Sequence, residues 1–226
     1  MITPAPSVAY TDLPPPDRYR GDLRHGEIEL TGADGGAPLE APVVFSNGYV
    51  TVLNDSVRFP AGQTGSYMRI FHNSELTGQH GVVCVPTWGD RVYLLRLFRH
   101  PTRSWHLEFP RGFAEPGATP EEDAARELSE ELGVTAAVIT NLGTVAPNTG
   151  LLATRAHVFH MELESEPLAQ PLLPSQAAEA ISGIFPVSRS GFLTQLRSGD
   201  DPVLRNLNCG FTLSAMMLAL ARGILT

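Results

Sequence analysis

Residues 112–134 read GFAEPGATPEEDAARELSEELGV, a glycine-containing loop that leads into a helix with clear boundaries. Thr119 is a favourable N-cap, Pro120 occupies the first helical position, and Glu122 stands where it completes a capping box with Thr119. Gly133 is suited to the left-handed conformation that ends many helices. These residues predict a helix that begins at Pro120 and ends just before Gly133.

The predicted helix carries a cluster of carboxylates. Glu127, Glu130 and Glu131 are spaced i, i+3 and i+4, which places them on one face, opposite an apolar stripe that includes Leu128. Like charges at this spacing repel, so the face is either a solvated acidic surface or a site for a cation. Mg²⁺ prefers oxygen ligands and commonly binds through a few carboxylates, waters and substrate phosphates. The cluster is therefore a candidate Mg²⁺ site, with the solvated surface as the alternative.

The overall composition excludes several classes of protein. The 226 residues include 24 acidic and 16 basic side chains, and the net charge of −8 opposes nonspecific binding to nucleic acid. Cys84 and Cys209 are the only cysteines, too few for a disulfide framework, and we expect buried, reduced thiols. The N-terminus lacks the apolar run of a signal peptide, and no segment approaches the roughly 20 apolar residues of a membrane span. We expect a cytoplasmic protein with neither nucleic acid nor a membrane as its partner.

Local patterns divide the chain into three segments. Residues 1–24, which contain three consecutive prolines, are expected to form a flexible arm, and residues 25–65 a small N-terminal β-element. Residues 66–226 are expected to form the main domain, an α/β sandwich with C-terminal helices. Strand signals occupy residues 27–30, 49–53, 67–71, 81–85, 91–98, 138–145, 157–163 and 184–187, and helical patterns follow at residues 190–197 and 212–222.

The loop and helix of residues 112–134 resemble the Nudix box, whose pattern is G-x5-E-x7-R-E-U-x-E-E-x-G-U with U an aliphatic residue. The positions that match in register are Gly112, Arg126, Glu127, Leu128, Glu130, Glu131, Gly133 and Val134. One position departs, because the family usually has Glu where this chain has Ala118; Glu115 on the same loop is a candidate replacement. The resemblance implies a Nudix-type α/β/α sandwich with a mixed sheet and a metal-dependent hydrolase that uses Mg²⁺ or Mn²⁺.

The segment before the box is similar to that of ADP-ribose and ADP-sugar pyrophosphatases within the family. This likeness rests on residues 96–101, RLFRHP, and residues 105–112, WHLEFPRG. It implies that the backbone carbonyl of Arg111 and the carboxylates of Glu127 and Glu131 hold the metal, and that Arg99 and Glu108 bind the substrate. The alternatives are an exposed charge for Arg99 at a strand end and a simple ion pair between Arg99 and Glu108.

In that branch a Glu on a loop after the box acts as the catalytic base. Glu179 in SQAAEA is the best candidate, since it precedes a strand-like run; Glu130 is a second possibility. The rivals are Glu162, Glu164 and Glu166, and any of these acids could be solvated instead.

The resemblance also implies the reaction and the assembly. The substrate is expected to be a nucleoside-diphosphate derivative, ADP-ribose or a nucleotide sugar, cleaved at its diphosphate into a nucleoside monophosphate and a sugar phosphate. The alternative is a Nudix-fold protein that binds or senses nucleotide sugars with little turnover because of Ala118. A homodimer is expected, with residues 25–65 contributing to the intersubunit surface, because strand runs this few are marginally stable alone.

Overall fold

The structure is a computed structural model that describes residues 8–15, 17–32, 36, 38–168, 174–194 and 206–225. The chain forms two compact units. The first contains Met1–Gln79 and Asn148–Thr154, and the second contains His80–Pro147 and Arg155–Thr226.

The first unit is built on a long β-hairpin. Its strands are β1 (Val8–Ala9), β2 (Glu29–Leu30), β3 (Glu40–Ala41), β4 (Val43–Ser46), β5 (Val50–Arg58) and β6 (Thr64–His72), with 3-10 turns at Tyr10–Asp12, Leu23–His25 and Asn73–Thr77. β6 pairs along the whole length of β5, while β2 and β4 pair with different halves of its other edge. Alternate residues of β5 are buried, which is the pattern of a strand with one face on a core.

This unit includes residues that the sequence assigns elsewhere. β6 continues past residue 65, because its register with β5 runs unbroken from Thr64 to His72. In the proline-rich segment, Tyr10 and Leu13 are buried with Leu53 and Phe71 of the hairpin. Residues 8–15 are therefore packed, because an aromatic and an aliphatic side chain there help to fill a core that the short strands cannot close alone.

The second unit is a mixed sheet between helices. Its strands are β7 (Gly81–Trp88), β8 (Arg91–Arg99), β9 (Ser104–Glu108), β10 (Arg111–Gly112), β11 (Ala136–Val145), β12 (Ala156–Leu163) and β13 (Ile181–Ser188), and its helices are α1 (Pro120–Leu132), α2 (Pro174–Ala178) and α3 (Gly210–Ala221). The strand order is β11-β12-β7-β8-β13, with β9 paired to β8 and β10 paired to β7. β12 is parallel to β7, and the other pairs are antiparallel.

Successive residues of β7 face two different cores. Val82 packs with Leu128 of α1 on one side of the sheet, and Val83 packs with Ala215 of α3 on the other. Successive side chains of a strand point to opposite faces of the sheet, so a strand that is covered on both faces contributes to both cores. The arrangement confirms the predicted α/β sandwich with a mixed sheet, and it places α1 beside β10 and β7.

Most predicted elements of the second unit are present with longer bounds. The helix predicted over residues 120–132 is confirmed, and the pattern at residues 212–222 corresponds to α3. Residues 192–194 are helical, while residues 195–197 of the predicted helix 190–197 lie outside the described residues. Cys84 is buried as expected, whereas Cys209 is only partly buried because it lies at the N-cap of α3. No helix among the described residues is long and apolar enough to cross a membrane.

Candidate active site

The ends of α1 are fixed by the residues that the sequence indicates. The Thr119 hydroxyl accepts a hydrogen bond from the Glu122 N–H at 3.3 Å, and the Glu122 carboxylate accepts one from the Thr119 N–H at 2.8 Å. Gly133 takes the left-handed conformation with φ 70°. Because both ends are fixed and Leu128 faces the sheet, the directions of the carboxylates are fixed as well.

The three carboxylates of α1 do not share one environment. Glu127 and Glu131 are buried, with 5% and 4% of their surface exposed, whereas the Glu130 side chain is 47% exposed. The expectation of a single acidic face therefore needs correction. Packing of Leu128 against the sheet turns the i, i+4 pair towards the protein and leaves the i+3 residue outside.

β10 contacts the two buried carboxylates, Glu127 and Glu131, from the opposite side; these two residues are called the buried pair. The Arg111 N–H donates to Oε2 of Glu131 at 2.9 Å. At Gly112, an added Cβ would lie 1.8 Å from Oε1 of Glu127 and 1.9 Å from its Cδ. Only glycine leaves room for the Glu127 carboxylate, which explains why the first position of the box is a glycine.

The buried pair lies in a region of negative electrostatic potential. Burial raises the pKa of Glu127 to about 7, against the favourable influence of Arg126. For Glu131, burial, the neighbouring Glu127 and Glu179, and a side-chain hydrogen bond with Glu179 raise the pKa well above its usual value. The last turn of α1 contains no basic residue, and a helix C-terminus carries partial negative charge. A cation at this position would relieve the repulsion.

Arg126 organises the acids around the helix, a role that the sequence alone did not predict. Its guanidinium pairs with Glu127 at 2.8 Å, Glu130 at 3.1 Å and Asp123 at 3.2 Å, and it lies 3.5 Å from Glu115. The available signal was its i, i+4 spacing to Glu130 and i, i+3 spacing to Asp123. Glu115, the candidate replacement for the carboxylate absent at position 118, is thus drawn to Arg126.

The two predicted substrate residues form an ion pair, as one of the alternatives anticipated, and the pair extends to Arg111. Arg99 donates to both oxygens of Glu108, at 3.1 and 2.8 Å, and Nε of Arg111 donates to Glu108 at 2.8 Å. Burial raises the pKa of Glu108, but the guanidinium groups of Arg99 and Arg111 have the larger combined effect and lower the pKa to about 2. A doubly held carboxylate orients both arginines, which leaves their remaining N–H groups for an anionic ligand.

Among the predicted bases, Glu179 lies next to the buried pair. It follows α2 directly and acts electrostatically on both Glu127 and Glu131. Two of the rivals are engaged elsewhere: Glu164 accepts from the Thr135 hydroxyl and Glu166 from the Tyr93 hydroxyl. The third rival, Glu162, lies on β12 with its side chain exposed.

The donor set suits a hard divalent cation. The available ligands are carboxylate oxygens, the type that Mg²⁺ prefers. When both members of the buried pair are ionised they carry two negative charges, and the guanidinium of Arg126 supplies one positive charge. No three acidic, His or Cys side chains in the described ranges already converge on one point that could hold an ion. Arg126 pairs with Oε1 of Glu127 and the Arg111 N–H donates to Oε2 of Glu131, and an ionised carboxylate has further lone pairs for a metal ion beside one such contact.

Parts of the chain are similar in sequence to two known pyrophosphatases. It is 29% identical over 119 residues to the ADP-ribose pyrophosphatase of Bacillus subtilis, an alignment that covers 53% of this chain and 62% of that protein. It is 39% identical over 75 residues to the ADP-sugar pyrophosphatase of Mus musculus, covering 33% of this chain and 34% of that protein. The chain thus matches less than two thirds of the length of these curated relatives.

A solved structure and a domain match identify the fold and the family. The crystal structure of an ADP compounds hydrolase superposes with a TM-score of 0.62, covering 81% of this chain and 94% of that chain at 23% identity, a likeness that establishes the fold. The NUDIX domain is recognised over residues 78–207. Because this match spans more than half of the chain, the protein belongs to the Nudix family.

Proposed function

We propose that the protein is a metal-dependent pyrophosphohydrolase that cleaves the diphosphate of ADP-ribose or of a nucleotide sugar. The observation that carries this proposal is the buried pair, Glu127 and Glu131, with Glu179 beside it. Two acids buried side by side near the negative end of a helix are costly, because Arg126 pairs with Glu127 whereas Glu131 has no cationic side chain paired with it among the described residues, and a bound cation would offset this cost. The names of the matched relatives, pyrophosphatases acting on ADP-ribose and ADP-sugar, support the substrate class.

Each residue of the site has a distinct task in this reaction. Glu127, Glu131 and the carbonyl of Arg111 would hold Mg²⁺, with Mn²⁺ as the alternative ion. When bound, the ion would neutralise the phosphate charge and lower the pKa of water. Arg99 and Arg111, oriented by Glu108, bind the phosphate oxygens. Glu179 accepts the proton of the attacking water, and the products are a nucleoside monophosphate and a sugar phosphate.

The first experiment separates a hydrolase from a binding protein. Purified protein is incubated with Mg²⁺ or Mn²⁺ and a panel of ADP-ribose, ADP-sugars and other nucleotide sugars, and the products are resolved by chromatography. Metal-dependent release of a nucleoside monophosphate is expected, and Glu131→Gln should lower turnover by orders of magnitude while the fold is retained. Binding of these ligands without turnover at either metal would support the alternative that rests on Ala118.

The assembly proposal concerns the first unit. We propose a cytoplasmic homodimer in which residues 25–65 contribute to the intersubunit surface. The support is the group of large apolar side chains that this segment leaves exposed, namely Val44, Phe45 and Tyr49. Exposed apolar side chains in number are more frequent at interaction sites than on the rest of a protein surface.

A further inference from the structure

The segment that carries Glu179 is attached to the C-terminal end of α1 by two side chains. The Ser175 hydroxyl donates to the carbonyl of Glu130 at 2.8 Å, and Nε2 of Gln176 donates to the carbonyl of Glu131 at 2.7 Å. The two contacts differ in burial, because Gln176 is 3% exposed whereas Ser175 is exposed to solvent. The Gln176 hydrogen bond is therefore the one that water cannot replace.

These contacts meet a need of the helix itself. The last four carbonyls of an α-helix have no partner within the helix. In α1 the N–H of Gly133 satisfies the carbonyl of Ser129, and the side chains of Ser175 and Gln176 satisfy the next two. The same short segment thus completes the end of the helix and brings Glu179 to the carboxylate of Glu131.

The geometry after α2 fixes the position of Glu179 from its other side. Its N–H donates to the carbonyl of Ser175 at 3.2 Å, so Glu179 and the attached residues form one turn. The next residue, Ala180, takes the left-handed conformation with φ 57°, and its carbonyl accepts from the N–H of Phe98 on β8 at 3.2 Å. Glu179 is therefore held between an anchor on α1 and an anchor on β8.

We infer that Gln176 is a positioning residue whose amide docks the 174–180 turn onto α1 and thereby holds the Glu179 carboxyl against Glu131. This inference rests on the proposed catalytic role of Glu179. Gln176 donates to the main chain at the end of α1, whereas Arg99 and Arg111 are held by Glu108, so replacing Gln176 should leave both arginines in place. Its loss should therefore lower kcat with little effect on KM for the substrate.

The test is a double-mutant cycle on the full chain, with ADP-ribose and saturating Mg²⁺. Glu179→Gln should lower kcat by about 100-fold, the usual contribution of a general base. Gln176→Met has similar length but no donor, and it should lower kcat by about 10-fold or more with KM within about twofold, because small displacements of a reacting group are costly. Ser175→Ala is the matched control, since it removes the neighbouring exposed contact and should change kcat by less than about threefold.

The decisive result is the coupling between the two positions. If Gln176 acts through Glu179, adding Gln176→Met to Glu179→Gln should cause no further loss of kcat. Additive losses, or normal kcat in Gln176→Met beside an impaired Glu179→Gln, would overturn the positioning role while leaving the proposed function intact. Normal kcat in Glu179→Gln would instead remove the assignment of the base, and the inference with it. Thermal unfolding monitors the fold, and Gln176→Asn, which withdraws the amide by one methylene, replaces Gln176→Met if that variant is unfolded.

Discussion

The close approach of Glu127 to Gly112 permits a sharp test of the metal site. In Gly112→Ala the new methyl group would lie 1.8 Å from Oε1 of Glu127, and ordinary contact begins at 3.4 Å. The carboxylate oxygen would therefore have to retreat by about 1.6 Å. The obstructing atoms belong to the end of a flexible side chain, so the variant should fold, but its carboxylate can no longer occupy the native position.

This displacement predicts a large loss of activity from a single methyl group. A 1 Å misplacement in an active site can cost about 100-fold in rate, and a retreat larger than that should lower turnover at least as much. The loss of the 2.8 Å contact between Glu127 and Arg126 should add a modest destabilisation, about 1–3 kcal/mol. Initial rates with ADP-ribose are measured across a Mg²⁺ titration, free Mn²⁺ is followed by electron paramagnetic resonance, and stability is obtained from urea unfolding.

Gly210→Ala is the control for the added methyl group. It lies in the same unit, and its Cβ would meet only Pro147 at 3.6 Å or beyond, an ordinary contact. It should retain wild-type rates and metal dependence. Wild-type turnover and Mn²⁺ affinity in a folded Gly112→Ala would refute the placement of the metal at Glu127.

Three further predictions address other parts of the chain. The pKa of about 2 for Glu108, lowered from 4.5, means that its ion pairs contribute on the order of 3 kcal/mol above pH 4.5 that is lost as the pH falls towards 2. The gap in unfolding free energy between wild type and Glu108→Gln should therefore narrow over this range, and a gap that stays constant would contradict the assignment. In a metal titration, Ala118→Glu should lower the Mg²⁺ concentration needed for half-maximal activity or raise turnover. No change in either quantity would show that the site does not need a carboxylate at this position. The full chain should sediment as a homodimer at micromolar concentration, and a monomer would exclude the proposed role of residues 25–65.

The parts of the site that depend on local chemistry were predictable. The bounds of α1 follow from Thr119, Pro120 and Gly133, whose capping preferences act within a few residues and leave little choice to the rest of the fold. The sandwich followed from strand patterns, since runs of β-branched and aromatic residues between turn residues mark the strands of a buried sheet. Even the ion pair of Arg99 and Glu108 was among the alternatives.

The parts that depend on packing were not predictable. A spacing of i, i+3 and i+4 cannot show that Glu127 and Glu131 turn inward while Glu130 remains outside, because this depends on how the helix is rotated against the sheet. The loop at residues 148–154 illustrates the same limit, because it belongs to the first unit. There the main chain of Ile70 forms hydrogen bonds with the main chain of Leu151 and of Ala153. Partners this distant in sequence leave no periodic signal.

The same packing distinguishes between the two candidate bases. Glu130 is exposed and its carboxylate is paired with Arg126 at 3.1 Å, so a water molecule near it would compete with a guanidinium and with bulk solvent. Glu179 is exposed as well, but it differs in its partners, since it shares a hydrogen bond with the buried Glu131 and its segment is attached to the helix end by Gln176. A general base must lie within hydrogen-bond reach of the water that is activated at the metal, which the contact of Glu179 with Glu131 favours. Glu179 therefore fits the catalytic role, and Glu130 is better explained as a partner that keeps Arg126 in place beside Glu127.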